Sequence, residues 1–177
     1  FSKCDNAHLD GLFPLPFRHE AINHVVERIK QTQDILGMQI AIENISYYTT
    51  LEPEMSEAEF IYEIIQRSDC KLLLDVSNVF VNGSNHNYEP KTFIKQLPID
   101  KIAYIHLGGF STNENELIDS HDQPLDEKVI DLFDWIVSQI KPVPITLERD
   151  SNYPDTLSEL LDEISPLQSI LDKHWKK

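Results

Sequence analysis

Cysteine is nearly absent from this sequence, and basic residues are scarce. Cys4 and Cys70 stand alone, without Cys-x-x-Cys spacing, so neither a disulfide nor a thiolate-zinc site is expected. Cys70 opens an apolar run, where a buried thiol is the usual outcome. Fifteen Lys and Arg against thirty Asp and Glu give a formal charge of -15, and only Lys176-Lys177 gathers positive charge. A polyanion needs a basic footprint to neutralise its phosphates, so no nucleic-acid partner is expected. Carboxylates gathered in one pocket would instead be relieved by bound cations. No apolar run approaches the ~18 residues of a membrane span, so no membrane partner is expected and the cytoplasm is the default location. The glycine-rich phosphate loops GxGxxG and GxxxxGK are missing, which removes the commonest nucleotide-binding signatures. The opening Phe1-Ser2-Lys3-Cys4 has no initiator methionine, basic n-region or apolar h-region, so an upstream portion is expected.

What is present is an alternation of helical and strand-like apolar patterns. Ile22, Val25, Val26, Ile29 and Leu36 predict an amphipathic helix over 19–36, stopped by Gly37. Met38 to Ile42 predicts a buried strand that delivers Glu43 and Asn44. Ser56 and Glu59 form a capping box for a helix ending near Ser68, with Phe60, Ile61, Ile64 and Ile65 inward. Lys71 to Val76 predicts the next strand, which carries Asp75 and is followed by Asn78 and a loop through Asn82, Gly83, Ser84 and Asn85. Pro90 opens a short helix closed by Pro98. Ile102 to Ile105 then predicts a strand ending in His106, after which Gly108 and Gly109 turn the chain into a polar loop carrying Asp119 and His121. A helix over 126–140 precedes a last strand, Val143 to Leu147, that delivers Glu148, Arg149 and Asp150. The final helix holds Leu157, Leu160, Leu161 and Ile164 and is expected to break or kink at Pro166.

Strands separated by helical crossovers of this length predict a parallel α/β architecture. A TIM (β/α)8-type barrel fits better than an open nucleotide-binding sheet. Four strands are half of such a barrel, so residues 1–177 are expected to form a single domain, its C-terminal four to five βα units.

Each of the four strands ends in a strong oxygen or nitrogen ligand: Glu43, Asp75 with Asn78, His106 and Glu148. Barrel strand ends converge on one face, and the loop adds Asp119 and His121. A satisfied core histidine beside a solvated loop explains one such feature, but not charged or imidazole groups at four equivalent positions. Buried carboxylates cost several kcal/mol unless paired or metal-bound, and only Arg149 stands nearby in sequence as a counter-charge. A donor set of oxygen and imidazole without thiolate admits iron, manganese or catalytic zinc, and its size suggests at least two ions with Glu43 or Glu148 as a bridge. Asp119-x-His121 can place both side chains on one side of an extended segment. Asn44, Ser46 and Tyr47 are candidates for contacts around the metal or with substrate, with loop capping the simpler role for Ser46.

Five motifs then carry a family resemblance: IENISYY at 42–48, LLLDVSNVFVN at 72–82, HLGGF at 106–110, DSHDQPL at 119–125 and TLERDSNYP at 146–154. In that order the chain, from about Leu12 to Leu171, resembles the multinuclear non-haem iron-dependent oxidases, a family that includes the methanobactin-biosynthesis oxidase. The resemblance implies a TIM barrel holding two or three irons, with dioxygen as co-substrate. It further implies a ribosomally made precursor peptide as substrate, modified at cysteine, and a peptide-presenting partner protein. It makes Glu43, Asp75, Asn78, His106, Asp119, His121 and Glu148 the iron ligands or their immediate neighbours. Asn44, Ser46, Asn82, Arg149 and Asp150 remain candidates around them or for substrate. The chain departs from the family at Gly108, where alanine is common, at Phe110, where a histidine is frequent, and at Ser120, Asp122 and Ile130, where threonine, glycine and tryptophan are usual. Two further histidine ligands of the family lie on earlier strands. Neither His8 nor His19 stands in that motif, and both read as surface residues, so the segment alone is expected to bind metal weakly and to be inactive. Competing readings are a divalent-metal hydrolase or isomerase of the xylose-isomerase-like or apurinic-endonuclease-like barrels and, in another class, a non-catalytic binding module.

Overall fold

The computed structural model describes residues 13–176, together with the backbone of residues 3, 4, 7 and 8. Two short strands, β1 (Lys3–Cys4) and β2 (Ala7–His8), pair antiparallel. The readings of the Cys4 and His8 side chains lie outside the described residues.

The chain continues through α1 (His19–Leu36), β3 (Ala41–Glu43), α2 (Glu57–Ser68), β4 (Lys71–Asp75), α3 (Val76–Asn85), α4 (Pro90–Ile94) and β5 (Ile102–Gly108). It ends with a hairpin of β6 (Ser111–Asn113) and β7 (Glu116–Ile118), then α5 (Glu127–Val137), β8 (Ile145–Glu148) and α6 (Leu157–Trp175). Strands β3, β4, β5 and β8 form one four-stranded sheet in that order, all neighbours parallel. The order follows the chain without reversal, whereas doubly wound sheets reverse at a switch point. The arrangement is therefore α/β with a mostly parallel sheet, consistent with part of an α/β barrel.

Alternation along the strands separates the two faces. Leu72, Leu74, Ile105 and Leu107 are fully buried and share one core with Ile22, Ile65, Val79, Phe133 and Ile136 from the helices. Leu73, Tyr104, His106 and Thr146 alternate with them and are only partly covered, with the Tyr104 hydroxyl 2.7 Å from Thr146 Oγ1. This second face carries the polar strand-end residues.

Local chemistry explains the element ends. Gly37 closes α1 in the left-handed region, at φ 67. Ser56 and Glu59 cap α2 reciprocally. His19, at the first position of α1, is exposed, and Cys70 is a buried free thiol. The observed strands are shorter than the apolar runs or shifted along them, beginning at Ala41 and Ile145 rather than at Met38 and Val143, and β3 is not the buried strand expected, since Met38, Ala41 and Glu43 are exposed and Ile42 only half-buried.

Three expectations are corrected. The segment Asn82–Asn85 is not a loop but the second half of α3, despite poor helix formers. The Asp75 carboxylate caps this helix by accepting from the Asn78 N–H, and bare Gly83 lets Tyr88 and Pro90 approach. The stretch after β5 is not an open loop, because β6 and β7 pair. Finally, α6 runs through Pro166 unbroken. Contacts on both sides of the proline hold it: Glu163 with Arg149 before, and Lys173 and His174 with Asp134 and the Trp175 ring N–H with Val137 O after.

Glu57 turns from the first turn of α2 into the core beside Tyr47, with one carboxylate oxygen lacking a hydrogen-bond partner. Burial pushes its pKa up to about 8. The folded chain therefore retains a proton that the unfolded chain loses near 4.5, so stability is full below that value and falls as pH rises toward about 8. Glu57→Gln should flatten this dependence and raise Tm at pH 8 by about 3 °C or more, measured by thermal unfolding between pH 5 and 9.

Candidate metal centre

The strand register sets the site. Asp75 pairs with His106 and His106 with Thr146, so Glu148 stands one same-face step further on, opposite Gly108. No side chain projects from Gly108, and the His121 ring occupies the space that a Cβ would take. A residue from the loop thus completes a row that the sheet leaves open. Gly109 turns the chain where a Cβ would meet the Gln123 backbone.

Six of the expected residues come together here. His106 Nδ1 lies 2.8 Å from Glu148 Oε1 and 3.2 Å from Glu43 Oε1. His121 Nε2 lies 2.7 Å from Asp119 Oδ1 and 3.9 Å from Asp75 Oδ2, while its Nδ1 is 3.2 Å from Glu148 Oε2. Glu148 therefore stands between the two imidazoles, one oxygen toward each. Two donor groups, Glu43–Asp75–His106 and Asp75–His121–Glu148, each have ligand atoms within 4.8 Å of one another and share Asp75.

His106 Nδ1, His121 Nε2, Asp75 Oδ2, Asp119 Oδ1 and Asn78 Oδ1 are all buried, and none has a hydrogen-bond partner. His121 Nε2 and Asp75 Oδ2 are too far apart for a hydrogen bond, and the shorter contacts of the two imidazoles with Asp119, Glu43 and Glu148 fail on direction, since close atoms whose lone pairs and N–H groups do not align make no hydrogen bond. Lone pairs converging on common points, without thiolate, fit a cation that takes oxygen and imidazole donors.

The electrostatics agree. Asp75 is fully buried, and desolvation, reinforced by the Asp119 and Glu43 charges, pushes its carboxyl up to about 7. Burial also raises Glu43 above the usual carboxylate range, with His106 opposing and Glu148 adding to the rise. The adjacent Asp119 carboxylate holds His121 up at about 9. Protons on Asp75 and His121 thus relieve negative charge that a metal ion would relieve better.

The surrounding residues fix these groups. Asn44 exchanges two 2.9 Å hydrogen bonds with the Asp75 main chain, and Asn78 donates to Asn44 O at 3.0 Å. Ser46 does not cap its loop but donates to Asp119 Oδ2 at 2.8 Å. Tyr47 is held through its N–H by Asn82, and its ring stacks on His86 at 4.3 Å. Asp119 and His121 do meet, but through a left-handed turn at His121, φ 46, rather than along an extended segment. Arg149 turns away from the cluster to Glu163, at 2.6 Å, and the Asp150 side chain is exposed while its N–H donates to His121 O. Tyr48 was not among the expected residues, yet its hydroxyl accepts from the Asp119 N–H at 3.0 Å. Its place beside Ser46 and Tyr47 was the only signal for it.

Residues 1–172 match the family described as RiPP precursor modification enzyme MbnB/TglH/ChrH. The chain belongs to this family. It is also similar to UPF0276 proteins of Shewanella oneidensis, 41% identical over 170 residues, which are 95% of this chain and 61% of the relative. Those of Nitrosospira multiformis and Acinetobacter baylyi are likewise 41% identical, over 172 and 165 residues, which are 96% and 93% of this chain and 60% and 57% of the relatives. The chain thus spans about three fifths of the length of these relatives. Family membership agrees with metal use by the acidic and histidine groups. Among the described residues, no helix is long and apolar enough to cross a membrane.

A metal ion held by these donors would have to displace the protons on Asp75 and His121. Uptake should therefore release protons, and apparent affinity should rise with pH through about 7 and about 9. Calorimetric titration in two buffers of different ionisation enthalpy measures both effects.

Proposed function

We propose that this chain is the metal-bearing part of an iron-dependent oxidase that uses dioxygen to modify a ribosomally made precursor peptide at cysteine. The carrying observation is the convergence of carboxylate and imidazole groups from four parallel strand ends and the following loop, with donor atoms of Asp75, His106, Asp119 and His121 buried and unpartnered, in a chain of the precursor-modification family. Glu43, Asp75, His106, Asp119, His121 and Glu148 would hold two or three iron ions, with Asn78 beside them and Glu148 between the two imidazoles. Iron supplies redox chemistry with dioxygen that no protein side chain provides. The chain's own residues fix the donors, keep the cluster dry through burial of Asp75 and His121, and yield protons as the metal enters.

The sheet belongs, in this reading, to a (β/α)8 barrel within one domain. Chain-order strands support this, as do edges at β3 and β8 that are unpaired among the described residues. The greater length of the relatives leaves room for the remaining units. A cytoplasmic enzyme working with a peptide-presenting partner protein completes the proposal. The charge of -15 disfavours a nucleic-acid substrate.

Elemental analysis and Mössbauer spectra of full-length protein purified without oxygen test the reading. Two or three irons per chain are expected, with at least one lost from Asp119→Ala and from His121→Ala. Zinc or manganese in place of iron would overturn the oxidase in favour of a hydrolase or isomerase, and a metal-free protein would favour a binding module.

A further inference from the structure

Helix α3 carries three asparagines, Asn78, Asn82 and Asn85, spaced by four and three residues and so aligned on one stripe. Each grips main chain outside the helix. Asn78 donates to Asn44 O at 3.0 Å. Asn82 donates to Ile45 O at 2.9 Å and accepts from the Tyr47 N–H at 3.0 Å. Asn85 donates to Leu117 O at 2.8 Å and accepts from the Leu117 N–H at 2.9 Å. A carboxamide presents a donor and an acceptor together, so it pairs with a peptide group as a neighbouring strand would. Asparagine is a poor helix former, so three of them in ten residues cost helix stability that the outside contacts must offset.

The gripped segments lead to one place. The 44–48 segment carries Ser46 and Tyr48, which bind the Asp119 carboxylate and N–H respectively. Leu117, held by Asn85, lies two residues before Asp119. The helix itself grows out of Asp75, whose Oδ1 accepts from the Asn78 N–H at 2.7 Å while Oδ2 faces the cluster. Asp75 and Asp119, from separate parts of the chain, are thus both tied to one rigid element.

We propose that the asparagine stripe of α3 is the positioning element of the metal centre, setting the spacing of Asp119 and His121 relative to Asp75 before any ion binds. Asn82 and Asn85 touch no metal and act through the segments they hold. The proposal rests on the metal reading above, and the test separates the two.

Full-length protein stripped with a chelator is titrated with Co²⁺, following the visible d–d absorption, for the parent, Asn82→Ala, Asn85→Ala and Thr156→Ala. Thr156 caps α6, and its loss lowers stability without touching the α3 stripe. Asn82→Ala and Asn85→Ala should remain folded by circular dichroism, bind Co²⁺ about 10- to 100-fold more weakly with an altered d–d band, and lose hydrogen-exchange protection at the amides of Tyr47 and Leu117 respectively. Thr156→Ala should melt earlier with parental affinity and spectrum. Partly exposed Asn85 carries the test if Asn82→Ala does not fold. A folded Asn85→Ala with parental Co²⁺ affinity and spectrum would overturn the positioning role alone. A parent that binds no Co²⁺ would overturn the metal reading and this proposal with it.

Discussion

The crowding of carboxylates around Asp75 is the constraint on which the rest depends. A fully buried carboxylate with Glu43 and Asp119 nearby is costly as an anion, and its only close positive partner among the described residues is an imidazole 3.9 Å away. Hydrophobic packing beneath the sheet must offset that cost. Leu72, Leu74, Ile105 and Leu107, with the apolar faces of the helices, form the rigid floor that holds four strand ends in place. The polar face concentrates charge because the apolar face supplies stability.

The sheet alone does not finish the site. Strands contribute Glu43, Asp75, His106 and Glu148, but a gap remains opposite Glu148, and His121 enters it from the loop over Gly108. The loop is positioned by hydrogen bonds from the 44–48 segment and from α3, so Asp119 does not rely on its own turn alone. Such dense support is what precise donor geometry requires.

Much of this was legible in the sequence, for physical reasons that also explain what was not. Apolar runs followed by Glu43, Asp75, His106 and Glu148 are local patterns, and the burial of Asp75 after such a run is visible without coordinates, whereas the exposure of β3 and Glu43 is not. Tertiary contacts are not. The second half of α3 was hidden because Asn82, Gly83, Ser84 and Asn85 favour turns, and only their partners across the fold make them helical. The continuity of α6 past Pro166 was hidden for the same reason, since anchors on both sides of the proline hold the helix together. The role of Ser46 depends on Asp119, far away in the chain, and Tyr48 carried no signal beyond its position.

The four strand ends that meet at this cluster are distributed along most of the chain, with Glu43 and Glu148 roughly a hundred residues apart, a separation typical of slow, non-local pairing. No early local hairpin or helix can hold the complete donor set. The cluster assembles only when β8 docks beside β5, so the donor set is complete only once that parallel pairing is in register. The donor set is thereby a product of the topology itself: a chain that has paired its strands wrongly brings no such cluster together.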